Sequence, residues 1–145
     1  MLDTGGALPQ HLPMRADKQH PDVLTGAVAG AAADVLALLA DDTRLKILWV
    51  VMQDEANVGT IAELVGAKPP AVSQHLAKLR MAKMVDVRRE GTFAFYRASD
   101  EHISRILVDL LEHTREELAA QAAVAARLRG SERVRASTTS TPSPG

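Results

Sequence analysis

The sequence contains no cysteine, and this absence removes several classes of chemistry. Structural disulfides, thiolate metal sites and cysteine nucleophiles all need a sulfur that the chain does not have. Thiol-based redox sensing is excluded for the same reason. Any metal ion bound by this chain must therefore be held by nitrogen and oxygen ligands.

Aromatic residues and long apolar runs are also scarce. Phe, Trp and Tyr make up 3% of the chain and hydrophobic residues 46%, so the core must be built mainly from aliphatic side chains. No segment offers the ~20 unbroken apolar residues of a membrane helix, and the N-terminus lacks the apolar stretch of a signal peptide. We therefore expect a cytoplasmic protein without a membrane partner.

The charges are segregated along the chain, although the net charge is only −1. Residues 68–97 carry seven basic and two acidic side chains, whereas residues 1–67 carry four basic and nine acidic ones. Residues 98–145 are nearly balanced, with six basic and seven acidic side chains. A basic segment between acidic ones is typical of a surface that contacts phosphates, which favours a nucleic-acid partner.

The two ends of the chain differ in composition from the middle. Residues 1–21 and 129–145 are rich in Gly, Pro, Ser and Thr, and we expect both to be disordered tails. Residues 22–128 are expected to form one folded domain, the size of a typical small domain.

Within this domain the apolar spacing predicts five helices and a hairpin. The first helix is expected at residues 22–40, and the second begins after a cap at residues 41–43. The third is expected at residues 61–65 and ends at Gly66, and the fourth begins at Pro69. Alternating residues predict strands at 85–89 and 93–97. A last long helix, which Ser99 can cap, is expected to have an apolar face that includes residues from Ile103 to Leu118. The predicted fold class is mainly α with a small β part (α+β): a winged helix-turn-helix of about five helices and a two-stranded β-hairpin, present as a homodimer.

The fourth helix and the hairpin carry the predicted DNA contacts, because the second helix of a helix-turn-helix enters the major groove. These DNA-binding residues are Ser73, Gln74, His75, Lys78, Arg80, Arg88, Arg89 and Thr92. Ser73 and Gln74 can bond base edges, and His75 can do so if its ring is not turned inward. Lys78 and Arg80 are suited to phosphates, which position a protein without reading sequence. The hairpin residues are suited to the DNA backbone or the minor groove.

Several separate blocks of sequence resemble the ArsR/SmtB family of bacterial metalloregulators. They are residues 39–48 (LADDTRLKIL), 61–66 (IAELVG), 72–79 (VSQHLAKL) and the turn 89–92 (REGT) that leads to Tyr96 and Arg97. The resemblance extends over about residues 34–118. It implies a dimeric winged-helix repressor whose first and last helices form the dimer interface. It also implies that operator DNA binds the fourth helix and is released when an effector binds.

The last helix holds the candidate metal ligands Asp100, His102, His113 and Glu116. The two histidines are ~16 Å apart along a helix, so one ion cannot bridge them within one chain. In an antiparallel two-fold helix pair, residues face each other when their numbers have a constant sum. Asp100 with Glu116 and His102 with His113 satisfy this condition to within one residue, around an axis near Leu107 and Val108, which predicts two identical inter-subunit sites.

Two nitrogen and two oxygen ligands suit a tetrahedral zinc ion. The Asp-x-His and His-x-x-Glu motifs, ten residues apart, also resemble the last-helix zinc site of the ArsR/SmtB family, which implies a ligand role for these four residues. Zn(II) is therefore the expected ion. Ni(II) or Co(II) is the alternative, because both favour more ligands, which His11 and His20 of the N-terminal tail could supply.

Of two other functions, one stays open on this evidence. A winged-helix regulator without a metal response would use the last helix only for dimerisation. An enzyme has no support, because the sequence shows no glycine-rich phosphate loop and no nucleophile beside a base. We therefore expect a non-enzymatic repressor that releases operator DNA on binding Zn(II), and an obligate homodimer with Leu107 and Leu110 in its interface.

Overall fold

The computed structural model describes residues 24–139, and these contain five helices and one two-stranded sheet. In chain order the elements are α1 (Gly26–Leu39), α2 (Asp42–Gln53), α3 (Val58–Val65), α4 (Pro69–Met81), β1 (Val85–Glu90), β2 (Phe93–Ala98) and α5 (Glu101–Thr138). The predicted set of five helices and a hairpin is confirmed. Among the described helices, none combines the length and the hydrophobicity that crossing a membrane requires. His11 and His20 lie outside the described residues.

The chain divides between Ala40 and Asp41 into two units. In the first unit, α1 begins after Thr25, whose Oγ1 accepts a hydrogen bond from the N–H of Val28 at 3.4 Å. This cap starts the helix at Gly26, later than predicted, because Thr25 itself is extended. Leu39 is the buried residue of α1, so this Ala-rich helix leaves most of its apolar surface exposed.

The second unit is built on one aliphatic core, to which α2, α3, α4, β1 and α5 all contribute. Its fully buried large side chains are Ile47, Leu48, Ile61, Leu76, Leu79, Leu107, Val72 and Val85. All of them are aliphatic, as the scarcity of aromatic residues predicts. Burial of such side chains supplies most of the free energy that stabilises a domain of this size.

Side-chain caps explain where α2 and α3 begin. Asp41 caps α2 as predicted, since its Oδ1 accepts a hydrogen bond from the N–H of Arg44 at 2.9 Å. Asn57 caps α3 through a 2.9 Å bond from the N–H of Thr60, so α3 starts at Val58. The predicted start of this helix at residue 61 was therefore three residues late, because Asn57 already satisfies a free N–H of the first turn.

The hairpin is formed by β1 and β2, which pair antiparallel from Val85 opposite Ala98 to Glu90 opposite Phe93. Gly91, in the two-residue connection, adopts a left-handed φ of 59°, a conformation that favours glycine. The outer edge of β2 is also paired: Ala56 and Tyr96 exchange two main-chain hydrogen bonds of 3.0 and 2.8 Å. The loop between α2 and α3 is therefore attached to the hairpin.

The last helix, α5, differs from the prediction at both ends. Asp100 caps it, accepting hydrogen bonds at Oδ1 from the N–H groups of His102 and Ile103, whereas Ser99 Oγ donates to the carbonyl of Lys83. The helix continues to Thr138, so residues 129–138 are helical and not part of a disordered tail. The Ala- and Arg-rich sequence that precedes residue 129 favours a helix, and hydroxyls such as Ser131 Oγ bond back to carbonyls of the preceding turn.

Candidate nucleic-acid interface and metal ligands

The helix-turn-helix is formed by α3 and α4 with the short turn between them. Gly66 ends α3 in a left-handed conformation with φ of 69°, and Pro69 opens α4, both as predicted. One side of α4 is fully buried through Val72, Leu76 and Leu79. The spacing of these three residues fixes which side of α4 faces away from the core.

The exposed side of α4 presents polar and basic side chains without an acidic one. Ser73, Gln74, Lys78 and Arg80 are all exposed, and no Asp or Glu occurs in the sequence from residue 64 to residue 85. Gln74 and Lys78 lie one turn apart on the same line of the helix surface. This face has the hydrogen-bonding groups for base edges at one end and the charge for phosphates at the other.

His75 is only half-buried, but its ring is turned toward the protein. Its Nδ1 is buried and has no hydrogen-bond partner among the described residues. Asp41, the cap of α2, lies close enough for its charge to interact with this imidazole. The pKa of Asp41 is lowered mainly by the hydrogen bond from the N–H of Arg44, with smaller electrostatic contributions from His75 and Arg44. The structure therefore buries one ring nitrogen of His75, whereas Ser73 and Gln74 are exposed.

The wing, which we define as residues 85–98, carries the other three predicted DNA contacts. Arg89 and Thr92 are exposed, and within residues 24–139 Arg89 takes part in no ion pair. Arg88 is different, because its guanidinium is bound by the carboxylates of Glu55 and Glu90. Glu55 was not among the predicted site residues, and its separation of 33 positions from Arg88 leaves no local sequence signal for the contact.

The four candidate metal ligands all lie on α5 or at its cap. The helix is unbroken from His102 to His113, so the two histidines are ~16 Å apart in one chain. One chain therefore brings together only neighbours: Asp100 with His102, and His113 with Glu116. No group of three or more ligand side chains with metal-binding geometry occurs among residues 24–139 of a single chain.

One face of α5 combines these histidines with exposed apolar side chains. His102, Ile106 and Leu110 follow at intervals of four residues, and His113 comes seven residues after Ile106, so all four share a side of the helix. Ile106 is 50% and Leu110 is 46% exposed. The donor atoms available on this face are imidazole nitrogens and nearby carboxylate oxygens. These donors suit a divalent ion of intermediate softness, such as zinc.

The expected interface position of Leu107 was wrong. Its side chain is 1% exposed in a single chain and belongs to the core of its own unit. Leu107 and Leu110 point about 60° apart on the helix, because three residues make less than a full turn of 3.6. On the side of α5 that carries His102 and His113, the exposed apolar residues are Ile106 and Leu110.

A tight turn, an exposed polar and basic second helix and a following hairpin define the winged helix-turn-helix class of DNA-binding transcriptional regulators. The profile of the bacterial regulatory protein, arsR family, matches residues 41–87. The HTH-type transcriptional regulator KmtR of Mycobacterium tuberculosis is 45% identical over 89 residues, which are 61% of this chain and 68% of KmtR. The chain belongs to the arsR family of bacterial regulatory proteins.

Solved structures support the same class. The antimony-specific transcriptional repressor AntR aligns with a TM-score of 0.60 and 31% identity over 71% of this chain and 96% of AntR. The homodimeric winged helix-turn-helix domain of Mb0332 from Mycobacterium bovis aligns with a TM-score of 0.58 and 30% identity over 68% of this chain and 94% of that domain. These proteins are covered almost completely, whereas part of this chain has no counterpart in them.

Proposed function

We propose that this protein is a homodimeric transcriptional repressor that binds operator DNA through α4 and the wing and releases it when Zn(II) binds to α5. The observation that carries the proposal is the shared face of α5, which holds two imidazoles beside the exposed Ile106 and Leu110. An apolar face needs a partner, and each pair of ligands needs a second pair. The α5 helix of a second copy supplies both.

The proposed dimer pairs the two α5 helices antiparallel. In this arrangement Asp100 and His102 of one protomer meet His113 and Glu116 of the other, so each dimer has two equivalent sites. The homodimeric state of the similar Mb0332 domain supports a two-fold assembly. The exposed apolar residues of α1 form the second part of the proposed interface.

Each site would hold the metal by two imidazole nitrogens and two carboxylate oxygens, the donor set of a tetrahedral zinc centre. Asp100 is already oriented by the two N–H groups that bind its Oδ1, which leaves Oδ2 as the oxygen for the ion. Hydrogen bonds that fix a ligand in this way raise metal affinity. Ni(II) or Co(II) is the alternative ion, with His11 and His20 as further ligands. All four positions of a tetrahedral ion would be filled by protein, so the proposed centre is regulatory and not enzymatic.

DNA would be read by Ser73 and Gln74 and held at its phosphates by Lys78, Arg80 and Arg89, with Thr92 at the tip of the wing. Metal can release DNA only if it binds more tightly to the form of the dimer that fits DNA poorly. We propose that zinc acts through the angle between the two protomers. Metal ligation across the α5 pair would fix that angle, and with it the spacing of the two α4 helices that enter the DNA. By reciprocity, operator DNA must weaken zinc binding by the same factor.

The test is operator affinity by fluorescence anisotropy, with and without zinc, for the wild type and His113→Ala. Zinc should weaken wild-type binding about 5- to 150-fold, the usual range of such couplings. His113→Ala should bind operator normally without metal and lose the zinc response. Glu112→Ala is the matched control, because it is the adjacent exposed residue, about 100° around the helix, and is not a proposed ligand.

The outcomes distinguish the hypotheses about the sign of the metal effect, the identity of the ion and the existence of a metal response. If zinc tightens wild-type binding, the metal acts as a co-repressor and the proposed sign is wrong. If Ni(II) or Co(II) releases DNA where zinc does not, the site is right and the ion is wrong. If no metal changes the affinity, a winged-helix regulator without metal response is the better description.

A further inference from the structure

The side chain of Arg88 forms a strap across the wing. It leaves β1, passes over the ring of its cross-strand partner Phe95, with Cζ 4.9 Å from the ring centroid, and ends at Glu55. Its Nε donates to Glu55 Oε2 at 3.2 Å and its Nη2 donates to Glu55 Oε1, while Nη1 donates to Glu90 Oε2 at 2.7 Å. Glu55 adjoins Ala56, the residue whose main chain pairs with Tyr96 at the outer edge of β2. The strap therefore joins β1 to the loop between α2 and α3 across the whole width of the hairpin.

We propose that Arg88 is a positioning residue that holds the wing against this loop, and that Arg89 is the wing arginine that contacts DNA phosphates. The proposal rests on the proposed function, since it assumes that the wing binds DNA. It replaces the prediction that both arginines contact DNA with different roles for the two.

The charges around Arg88 argue against a phosphate contact. One guanidinium lies between two carboxylates, so the cluster of Arg88, Glu55 and Glu90 has a net charge of −1. Arg97, whose charge also acts on Glu55, only balances this charge, so the cluster has no excess positive charge to attract an anion. The hydrogen bond from Arg88 lowers the pKa of Glu55, so that carboxylate stays ionised at neutral pH. Arg89 follows directly in β1, and its side chain therefore points to the opposite face of the hairpin. It is exposed, and its charge is not neutralised by an ion pair within the described residues.

The strap matters for binding because it adds a side-chain connection to the main-chain pairing at the outer edge of the hairpin. Ala56 and Tyr96 form an isolated bridge with two hydrogen bonds. A wing that moves without the strap would have to be ordered when DNA binds, which lowers the affinity without removing a phosphate contact. Positioning and direct contact therefore predict different salt dependences.

The experiment measures operator affinity against salt concentration for the wild type, Arg89→Gln, Arg88→Gln and Glu55→Gln. Arg89→Gln should reduce the slope of log K against log salt by about 1.8, because a dimer loses two phosphate contacts at ~0.9 each. Arg88→Gln should leave the slope at the wild-type value and lower the affinity up to about 25-fold, because a dimer loses two straps at up to about fivefold each, the usual upper limit for an exposed ion pair. Glu55→Gln is the sharpest variant, since it removes a negative charge near DNA and should nevertheless weaken binding as Arg88→Gln does.

Two further measurements complete the test. Arg88→Lys keeps the charge but loses the two-pronged contact with Glu55, and should behave like Arg88→Gln. Without DNA, hydrogen exchange at the amides of Ala56 and Tyr96 should be faster in Arg88→Gln than in Arg89→Gln. Tighter binding by Glu55→Gln, or a slope loss in Arg88→Gln equal to that of Arg89→Gln, would overturn the proposal. If the wild type shows no operator binding, the proposed function fails, and unchanged amide exchange in Arg88→Gln would still refute the strap.

Discussion

Leu107 is the residue of α5 that is buried in the core of the second unit. Its truncation gives a quantitative test of the proposed coupling between zinc binding and DNA release. The side chain is 1% exposed, and it is the buried residue of a helix that is otherwise half or fully exposed. Leu107→Ala removes the contacts of a fully buried leucine and leaves a cavity, which costs about 2–5 kcal/mol in well-packed cores. Against a typical total stability of about 5–15 kcal/mol, the domain should fold but unfold at a clearly lower denaturant concentration.

The assay is urea unfolding followed by circular dichroism, at one protein concentration because the protein is proposed to be a dimer. Leu118→Ala is the matched control: it deletes the same atoms from the same helix, but Leu118 is 60% exposed, so its cost should stay within about 0.5 kcal/mol. Leu107→Ala should also keep its zinc ligands and bind zinc, yet show a smaller difference between operator affinities with and without zinc. Equal midpoints for the two variants, or an unchanged zinc effect in Leu107→Ala, would refute the role of Leu107 as the link between α5 and the core.

Two double substitutions and two pH dependences test separate parts of the proposal. Changing Ser73 and Gln74 together to Ala should lower the ratio of operator to random-DNA affinity by about 1–3 kcal/mol per lost base contact, measured by competition binding; an unchanged ratio would remove these residues from base recognition. Changing Ile106 and Leu110 together to Asp should yield monomers in analytical ultracentrifugation with no operator affinity, and an active monomer would contradict the α5 interface. Zinc affinity should fall as the solution is made acidic, since only neutral imidazole binds metal, and a zinc affinity that does not change with pH would exclude histidine ligands. Because the pKa of Glu55 is lowered from 4.5, its pair with Arg88 should stabilise the wing above that pH and lose this effect as the pH falls through the lowered pKa, which amide exchange at Tyr96 can follow.

Much of the helix-turn-helix could be predicted from the sequence, because the residues that determine it lie close together in the chain. Pro69 can open a helix and cannot continue one, and Gly66 tolerates the left-handed conformation that ends α3. The three-and-four spacing of Val72, Leu76 and Leu79 determines which side of α4 is buried, and thereby which residues remain for DNA. The same reasoning failed at Asn57, where a polar residue followed by Gly59 resembles a break but acts as a helix cap.

The candidate metal site could be predicted only as a set of residues. The spacing of the two histidines within a continuous helix follows from the helical rise, and it already excludes a site within one chain. The sharing of one helix face by these histidines, Ile106 and Leu110 also follows from periodicity. Whether Leu107 or Ile106 is covered could not be predicted, because it depends on how α5 rotates about its axis when it packs on the rest of the unit.

The sequence by itself determined the elements whose causes lie within a few residues: the helix caps of Asp41 and Gly66, the buried stripe of α4 and the alternation of the wing strands. Only the tertiary structure decided the roles of residues that meet across long separations. In the sequence, Arg88 and Arg89 are neighbouring basic residues of one strand and have the same predicted role. In the structure their surroundings differ, because the loop between α2 and α3 places Glu55 beside Arg88 on one face of the hairpin. The physical reason is that the interactions of a charged side chain depend on the groups within a few ångströms of it. Folding brings these groups together from distant parts of the chain, so a local sequence pattern does not reveal them.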